Sequence, residues 1–313
     1  MPPWVAVGPG DDAAVVKPVR GALDVLTTDA LVDGIHFDLR FTPPDAVGHR
    51  ALAVNLSDLA AMGAEPRAAL LSLLLPDDLD VATLDGILDG LLSLAARYRV
   101  ALIGGNITRT TGPLAIDVTA TGSVRPRRIL TRSGAKPGDE LYVTGTLGSA
   151  ATGLELLKAG GPIGERQQPC TERYLRPDPR VRAGLLLGRN RAASSCMDLS
   201  DGLGDAVHQL AAASGVGITI DAAELPVADE VREWHQAAAK DLRQTILASG
   251  DDYELVFSTR PSQRGRFRGV LQQLGGLQMT RIGIVTKARD VLLSTEHGKH
   301  ELPCGYEHWR VTS

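Results

Sequence analysis

Carboxylates are concentrated in a few short segments of this 313-residue sequence. The segment CMDLSDGLGD contains Asp198, Asp201 and Asp205, with no Lys or Arg among them. Further acidic clusters occur in GPGDD (8–12), TTD (27–29), NLSD (55–58) and SGDD (249–252). Each lies where a strand is predicted to end or a helix to begin. Taken singly, each is also typical of ordinary turn or helix-cap chemistry.

Asp58 differs from an ordinary surface carboxylate because its neighbours on the predicted helix are apolar. Val54 and Ala51 precede it by one and two helical turns, so all three share one face of a helix predicted over 43–62. We expect this carboxylate to be at least partly buried, and an unpaired buried charge costs several kcal/mol. Since no Lys or Arg is adjacent in any of the clusters, the natural partner is a metal ion. Oxygen donors from Asp and Thr suit Mg²⁺ or Mn²⁺.

Phosphoryl transfer is the chemistry that this pattern favours, because protein-bound magnesium usually bridges carboxylates to substrate phosphates. Gly104 and Gly105 agree with this interpretation, since two glycines at a strand end let backbone N–H groups approach phosphate oxygens. The sequence contains no P-loop, no protein-kinase catalytic loop and no dinucleotide-binding glycine motif. The glycines at these sites are also compatible with turns, so they decide nothing alone.

The elements that must hold these residues alternate between strands and helices. In the first part, strands are predicted at 23–29, 67–76 and 114–124, and helices at 43–62 and 80–97. In the second part, strands are predicted at 141–145, 216–221, 253–259 and 279–286, and helices at 148–158, 180–191 and 261–273. Apolar and polar residues alternate along 114–124, which predicts a sheet with one dry face. A basic, then Gly/Pro-rich run over 125–140 predicts a boundary between two domains, 1–133 and 134–313.

Composition excludes several classes of protein. The formal net charge of −4 gives no broad basic field, so nucleic acid is not an expected partner. The three cysteines are scattered and odd in number, which predicts a reducing cytoplasm. The N-terminus lacks the pattern of a signal peptide, and the longest apolar stretch, near 68–76, is too short to span a bilayer. We therefore predict a soluble cytoplasmic protein.

A series of segments spans nearly the whole chain in a specific order: GPGDDAAVV, TTDALVDGIHF, ALAVNLSDLAAMGAEP, LIGGNITR, LTRSGAKPGDELYVTG, YLRPDPRV, MDLSDGL, SGDDYEL and GYEHW. In these segments the chain resembles the thiamine-monophosphate kinase family, within the aminoimidazole-ribonucleotide-synthetase-like ATP-binding superfamily. The two longest motifs are much more specific than any single glycine-rich loop.

The resemblance implies an α/β (or α+β) fold of two α/β domains. Its N-terminal sheet would form a barrel across a homodimer, and its C-terminal domain would be a mixed sheet with helices. It also implies ATP-dependent phosphorylation of thiamine monophosphate to thiamine diphosphate by direct in-line transfer. Catalysis would come from positioning and several Mg²⁺ ions, with no further catalytic side chain.

The resemblance also implies roles for individual residues. The metal ligands would be Asp12, Thr27, Thr28, Asp29, Asp58, Asn106, Asp198 and Asp201. The ATP contacts would be Gly105, Asn106, Arg132 and Ser200. The contacts to thiamine monophosphate would be His36, Asp251 and Tyr306. From the residues alone, His36 is also compatible with a turn histidine beside Gly34.

Two positions depart from the family pattern. The motif Gly-Gly-Asp becomes Gly104-Gly105-Asn106 here, which replaces a ligand carboxylate by a neutral amide, and Glu-Asp becomes Asp251-Asp252, one methylene shorter. Asp205 is predicted to be a solvated helix residue. Two other functions remain open: a selenophosphate or aminoimidazole-ribonucleotide synthetase of the same superfamily, or a non-catalytic protein that binds thiamine phosphates or ATP.

Overall fold

The computed structural model describes residues 1–304, in which strands and helices alternate largely as predicted. The N-terminal part contains β1 (Val5–Val7), β2 (Val15–Val16), β3 (Leu23–Val32), α1 (Pro44–Ala61), β4 (Glu65–Pro76), α2 (Val81–Tyr98), β5 (Ala101–Thr110) and β6 (Ala115–Val124). The C-terminal part begins with β7 (Glu140–Thr144), α3 (Ser149–Ala159), α4 (Gln168–Leu175), α5 (Val181–Asn190), β8 (Ser195–Asp198), α6 (Leu203–Ser214) and β9 (Gly217–Asp221). It continues with α7 (Asp229–Ala237), α8 (Leu242–Ala248), β10 (Leu255–Thr259), α9 (Arg264–Leu274), β11 (Met279–Thr286), β12 (Val291–Thr295) and β13 (Gly298–Glu301).

The N-terminal sheet has the strand order β3-β6-β4-β5, with β4 and β5 parallel and the other pairs antiparallel. The predicted alternation on β6 is confirmed: Ile116, Val118 and Ala120 are buried, whereas the polar residues between them lie on the other face. Within residues 1–304 this sheet is open, with β3 and β5 as its edges. The barrel implied by the resemblance is therefore not formed by one chain.

Helix α1 lies at the centre of the molecule and has almost no solvent-exposed side. It packs against α2, β3 and β6 on one side and against α5 and β8 on the other. Two glycines allow this close packing: a Cβ at Gly48 would lie 1.7 Å from the carbonyl oxygen of Ile87, and one at Gly184 would lie 1.9 Å from that of Ala60. Side chains on α1 are therefore held rigidly between the two parts of the protein.

The C-terminal sheet has the strand order β13-β12-β9-β11-β7-β10-β8 and is mixed, since β12 pairs with β9 in parallel and the other pairs are antiparallel. Strands β8 and β10 lie at the edge nearest α1, and Leu255 pairs with Asp198. The end of β8 and the segment before β10 therefore lie side by side. This brings the SGDDYEL and MDLSDGL segments together.

The segment between β6 and β7 is the predicted domain boundary. Although it separates two sheets, α1 contributes to a core that continues into α5, β8 and β10. The division at residues 133 and 134 stays a prediction. No helix in residues 1–304 combines the length and apolarity needed to cross a membrane. The three cysteines are free thiols.

Candidate active site

A cleft of about 780 Å³ lies between the segment that joins β3 to α1 and the C-terminal helices α3, α7 and α8. Its walls include several of the residues singled out from the sequence: Asp29, His36, Ser200, Asp201 and Asp251. They come from distant parts of the chain and meet because α1 connects both sheets. The cleft is therefore the candidate active site.

Three carboxylates gather where β3, α1 and β8 meet. Asp58 accepts a hydrogen bond from the hydroxyl of Thr27 and lies beside the carboxyl group of Asp29. The preceding residue of α1 is Ser57, whose Oγ donates to Oδ2 of Asp198 at 2.7 Å. The predicted partial burial of Asp58 is confirmed. We call Asp29, Asp58 and Asp198 the acidic cluster.

Burial and mutual repulsion disfavour the ionised forms of the acidic cluster. Burial raises the pKa of Asp198 to about 7, and the neighbouring charge of Asp58 adds to the effect. Burial likewise raises the pKa of Asp29 to about 6, again with Asp58 contributing. The pKa of Asp58 is raised by burial, against the opposing effects of Thr27 and Arg132. When its carboxyl groups are ionised, the cluster therefore carries negative charge that the protein side chains around it balance only in part.

The donor chemistry of this cluster fits a hard divalent cation such as Mg²⁺, because its ligand atoms are carboxylate and hydroxyl oxygens. Within residues 1–304, no three His, Cys, Asp or Glu side chains are arranged so that they could hold an ion by themselves. An ion here would complete its coordination shell with water or phosphate oxygens. Magnesium commonly binds in this way, with one or two carboxylates plus substrate phosphates.

Other predicted metal ligands lie elsewhere in this chain. Thr28 and Asn106 are on the sheet face opposite α1. Thr28 Oγ1 donates to Asp117 at 2.9 Å. Ser72 of β4 pairs with Asp117 on one side and with Asn106 on the other, so these three residues share that face. The alternation of β-strands explains this, because Thr27 and Thr28 must point to opposite faces. Asp12 is exposed in the N-terminal segment. The structure does not bring these three residues to the acidic cluster, and their metal role stays a prediction.

The predicted ATP contacts are distributed in a similar way. Ser200 lines the cleft and donates to Asp201 at 3.1 Å. The guanidinium of Arg132 lies close enough to affect Asp58 and Asp198 electrostatically. Position 105 must be a glycine for packing reasons, since a Cβ there would lie 1.9 Å from the carbonyl oxygen of Leu71.

Asp205 corrects one sequence expectation. It was predicted to be a solvated helix residue, but it is half-buried and accepts a hydrogen bond from Gln209 at 2.6 Å. The side-chain oxygen of Gln209 in turn accepts from Arg132. The reason is that the first turns of α6 face the segment containing Arg132. Asp205 therefore helps to hold Arg132.

Asp251 occupies the other end of the cleft, in a backbone conformation that is unusual for a side-chain-bearing residue. Its φ is 71°, and that of Tyr253 is 48°; such left-handed conformations cost about 1–3 kcal/mol and are often found at functional sites. The segment is held by hydrogen bonds from its backbone N–H groups to the carbonyl oxygens of Ser200 and Leu199, both at 2.9 Å. The Oδ1 atom of Asp251 accepts from Arg50 and from the Tyr253 hydroxyl.

Arg50 is a residue of this site that the sequence reasoning missed. Its side chain is only 2% exposed, bonds Asp251 and donates to the carbonyl oxygen of Tyr174 at 2.8 Å. The available signal was its spacing: Arg50 precedes Val54 and Asp58 by one and two helical turns, on the same face of α1.

The remaining predicted substrate contacts are His36 and Tyr306. His36 lines the cleft, and its Nδ1 accepts the backbone N–H of Val32 at 3.1 Å, which places a ring proton on Nε2. Tyr306 lies outside the described residues.

The two carboxylates that follow Asp251 in the sequence, Asp252 and Glu254, hold neighbouring segments of the protein together. Asp252 accepts the backbone N–H groups of Gly148, at 2.8 Å, and Ala150, at the start of α3. Glu254 is completely buried and accepts from Thr144, Arg173 and Arg180. Both therefore have protein partners.

Comparison with known proteins gives concordant matches. Residues 10–124 match the family model of the AIR synthase related protein N-terminal domain, and residues 136–294 match that of its C-terminal domain. The chain is 42% identical over 284 residues to the thiamine-monophosphate kinase of Escherichia coli (strain K12), which covers 90% of this chain and 85% of that protein.

Two solved structures are similar over most of their length. The crystal structure of thiamine-monophosphate kinase from Stenotrophomonas maltophilia K279a has a TM-score of 0.85 and 38% identity, covering 93% of this chain and 91% of that one. A structure described as AaThiL complexed with AMPPCP and TMP has a TM-score of 0.83 and 33% identity, covering 94% of this chain and 89% of that one.

Proposed function

The chain belongs to the thiamine-monophosphate kinase family, and from that membership we propose that it transfers the γ-phosphoryl group of ATP to thiamine monophosphate. The product is thiamine diphosphate, in the biosynthesis of that cofactor. The observation that carries the proposal is the acidic cluster, which lacks a sufficient protein counter-charge and borders a cleft of suitable size. The related AaThiL structure, described as holding AMPPCP and TMP, supports the same pair of substrates.

The residues that would hold magnesium are Asp29, Asp58, Asp198 and Asp201, together with the hydroxyl of Thr27. When bound, several Mg²⁺ ions supply the positive charge that lets two phosphate groups approach each other. The protein's own contribution is positioning. Ser57 orients Asp198 and Thr27 orients Asp58. We propose that transfer is in-line and direct, without a phosphorylated protein intermediate.

The substrates are positioned by side chains on both walls of the cleft. We assign Ser200 and Arg132 to ATP, with Asp205 and Gln209 holding the guanidinium of Arg132. We assign His36, which lines the cleft, to the phosphate of thiamine monophosphate, with Nε2–H as the donor. Further ATP or metal contacts are assigned from the family pattern alone: Asp12, Thr28, Gly105, Asn106 and, for thiamine monophosphate, Tyr306.

The test is product analysis. The purified protein is incubated with ATP, Mg²⁺ and thiamine monophosphate, and the products are separated by chromatography. Formation of thiamine diphosphate and ADP supports the proposal. Binding of both ligands without product would favour the non-catalytic alternative. Turnover of ATP only with selenide or with formylglycinamidine ribonucleotide would favour a synthetase of the same superfamily.

We also propose a cytoplasmic homodimer that forms through the outer face of the N-terminal sheet. That face leaves Leu26 69% exposed and Leu70 40% exposed, beside threonines of β6. Covering it with a second copy would bury apolar area and protect the sheet edges. The free thiols agree with a reducing compartment. Sedimentation at micromolar concentration should give a dimer, and an active monomer at that concentration would contradict the assembly.

A further inference from the structure

Positive charge is distributed very unevenly along the chain. Three stretches, 118–138, 179–197 and 255–289, contain sixteen of the 33 Lys and Arg residues and none of the 37 Asp and Glu residues. The formal net charge of the whole chain is −4, so the other parts are strongly acidic. Because ions in solution screen charges beyond about 8 Å, such a segregation produces a local positive potential even on a protein of negative net charge.

The three stretches meet on one side of the molecule. Helix α5 packs against α9 and against the short 3₁₀ turn Pro126–Arg128. A Cβ at Gly188 of α5 would lie 2.4 Å from the carbonyl oxygen of Arg128. Arg182 Nη2 donates to the carbonyl oxygen of Gln273 at 2.6 Å, so the start of α5 lies beside the end of α9. The fold therefore joins the three basic stretches into one surface.

Helical spacing aligns several exposed arginines on this surface. Arg182 and Arg189 are seven residues apart on α5, which corresponds to two turns on one face and about 10 Å along the axis. Arg266 likewise precedes Gln273 by two turns of α9. Two turns along each helix from the bond between Arg182 and Gln273 thus lead to Arg189 and Arg266, which lie near each other. We define the basic surface as six exposed residues: Arg127, Arg128, Arg182, Arg189, Arg191 and Arg266.

The basic surface differs from other exposed arginines in having no acidic partners. Elsewhere Arg109 bonds Asp77, and Arg166 bonds Glu233. In the described part of the chain, no ion pair involves a residue of the basic surface, and its one side-chain hydrogen bond is that of Arg182 to a carbonyl oxygen. Clustered like charges repel each other and weaken the fold slightly. That the chain keeps them together without neutralising them indicates an anionic partner.

Two observations favour a protein partner over a nucleic acid. The aromatic residues of the three stretches are Phe257 and Phe267, and both are buried, so the basic surface offers no ring on which a base could stack. The negative net charge also repels any polyanion that extends beyond the basic surface. Arginine, by contrast, binds a carboxylate through two parallel hydrogen bonds. A short segment rich in Asp and Glu therefore fits best.

We propose that the basic surface binds an acidic segment of a partner protein, whose Asp and Glu side chains pair with its arginines. The segment would lie along α5 and contact α9 and the 3₁₀ turn on either side. None of the six arginines lines the cleft, so this interaction is a function separate from the chemistry there.

The test uses a fluorescein-labelled poly-L-glutamate peptide, whose binding is followed by fluorescence anisotropy at low and at physiological ionic strength. The variant Arg127→Glu/Arg189→Glu/Arg266→Glu reverses one charge in each of the three elements. We expect its Kd to be at least about tenfold higher than that of the wild type. The Kd of the wild type should also rise with salt. Equal binding by the two proteins, or no binding by the wild type at low salt, overturns the proposal.

A matched control reverses three exposed charges outside the basic surface. The variant Arg99→Glu/Arg232→Glu/Arg243→Glu has the same net charge as the first variant, but its substitutions lie on other parts of the molecule. Its Kd for the peptide should stay within about threefold of the wild-type value, because screening limits the reach of each charge. A loss as large as that of the first variant would mean that net charge alone governs binding, and would overturn the proposal.

The variant Arg127→Gln/Arg189→Gln/Arg266→Gln keeps the test decisive if the charge reversals fold poorly, since it removes charge without adding carboxylates. Its Kd should rise about three- to tenfold. Its urea midpoint should stay the same or increase, because like charges repel each other. An unchanged Kd contradicts the proposal. A lower midpoint would mean that these arginines stabilise the fold, and would overturn their assignment to a partner.

The same titration with other anions distinguishes the classes of partner. The probes are an oligouridine with as many charges as the glutamate peptide, and vesicles that contain phosphatidylglycerol. At physiological ionic strength we expect both to bind the wild type more weakly than the peptide does, because the surface lacks exposed aromatic rings and the rest of the protein is acidic. Tighter binding of the RNA or of the vesicles would overturn the assignment to an acidic protein segment.

Discussion

Glu254 and the acidic cluster lie on opposite sides of a contrast in how the fold pairs its carboxylates. Glu254 is completely buried and bonded by Arg173, Arg180 and Thr144. The acidic cluster of Asp29, Asp58 and Asp198 has hydroxyl donors but no bonded Lys or Arg among the hydrogen bonds and ion pairs of residues 1–304. Where the chain supplies cations, the carboxylate holds the structure together. In the acidic cluster the chain supplies no such cation, so a bound ligand must balance the charge of the carboxylates.

The largest expected effect comes from Asp58→Asn. The substitution removes a charge needed to hold Mg²⁺ and phosphate, so kcat should fall about 10³-fold. The free energy of unfolding without magnesium should stay the same or increase, because a repulsive buried charge is lost. Steady-state kinetics and urea unfolding measure the two quantities. The matched control is Asp89→Asn on the exposed side of α2, which should change neither. If Asp58→Asn keeps nearly wild-type turnover, Asp58 is not a magnesium ligand.

Glu254→Gln should show the opposite behaviour. It leaves Arg173 and Arg180 buried without their shared counter-ion, and we expect a loss of about 3 kcal/mol in the free energy of unfolding. Urea unfolding measures this loss. Glu172→Gln removes an exposed partner of Arg176 and should cost less than about 0.5 kcal/mol. If Glu254→Gln is as stable as the wild type but has a greatly reduced kcat, Glu254 serves catalysis and not stability, and the contrast with the acidic cluster is wrong.

A third, smaller effect is a pH dependence of the metal-free protein. The pKa of Asp198, about 7, and that of Asp29, about 6, lie above the ordinary value of 3.8, so the folded state retains protons that the unfolded state has released. The free energy of unfolding should therefore fall by about 1–2 kcal/mol between pH 6 and pH 8. Magnesium favours the ionised carboxylates and should remove most of this dependence.

The measurement is urea unfolding at both pH values, in EDTA and in Mg²⁺. A small residual dependence should persist in Mg²⁺, because burial also raises the pKa of Asp252 to about 6 and that residue does not belong to the acidic cluster. Stability that rises from pH 6 to pH 8 in EDTA would contradict the assignment.

The smallest expected effect is that of Asn106→Asp. The sequence pattern alone predicts that this change lowers the Mg²⁺ requirement. In the folded chain Asn106 is on the opposite sheet face from Asp29 and Asp58, so the metal contact assigned to it from the family pattern would be indirect. We therefore expect at most about a twofold decrease in the half-saturating Mg²⁺ concentration. A magnesium titration of kcat with both substrates measures it. A tenfold decrease would mean that the outer sheet face also contributes to the phosphate site.

The sequence alone predicted many of the helices and strands and some features of the candidate active site. Helix α1 and strand β6 were predicted within a few residues, because buried apolar patterns and glycine or proline ends are local signals. The partial burial of Asp58 was predicted from its helical face alone. Strand β5 and helices α4, α7 and α8 were not predicted, because the three helices are only seven to nine residues long and β5 is interrupted by Gly104 and Gly105.

What the sequence could not provide was the pairing between distant segments. Arg50 and Asp251 are 201 positions apart, and nothing local indicates that they bond. The same applies to Arg132 and Asp205, whose connection through Gln209 depends on where α6 docks. Strand alternation, by contrast, was available from the sequence and separates Thr27 from Thr28, although the family pattern groups them together.

The central position of α1 has a consequence for how the protein matures. The helix takes part in the N-terminal sheet's core and in the contacts with α5 and β8, so the acidic cluster exists only after both halves have docked. A partly folded intermediate should therefore bind neither nucleotide nor magnesium, and amide hydrogens along α1 should be among the slowest to exchange with solvent. Ligand binding would then draw the last docking step to completion and protect newly made chains from proteolysis.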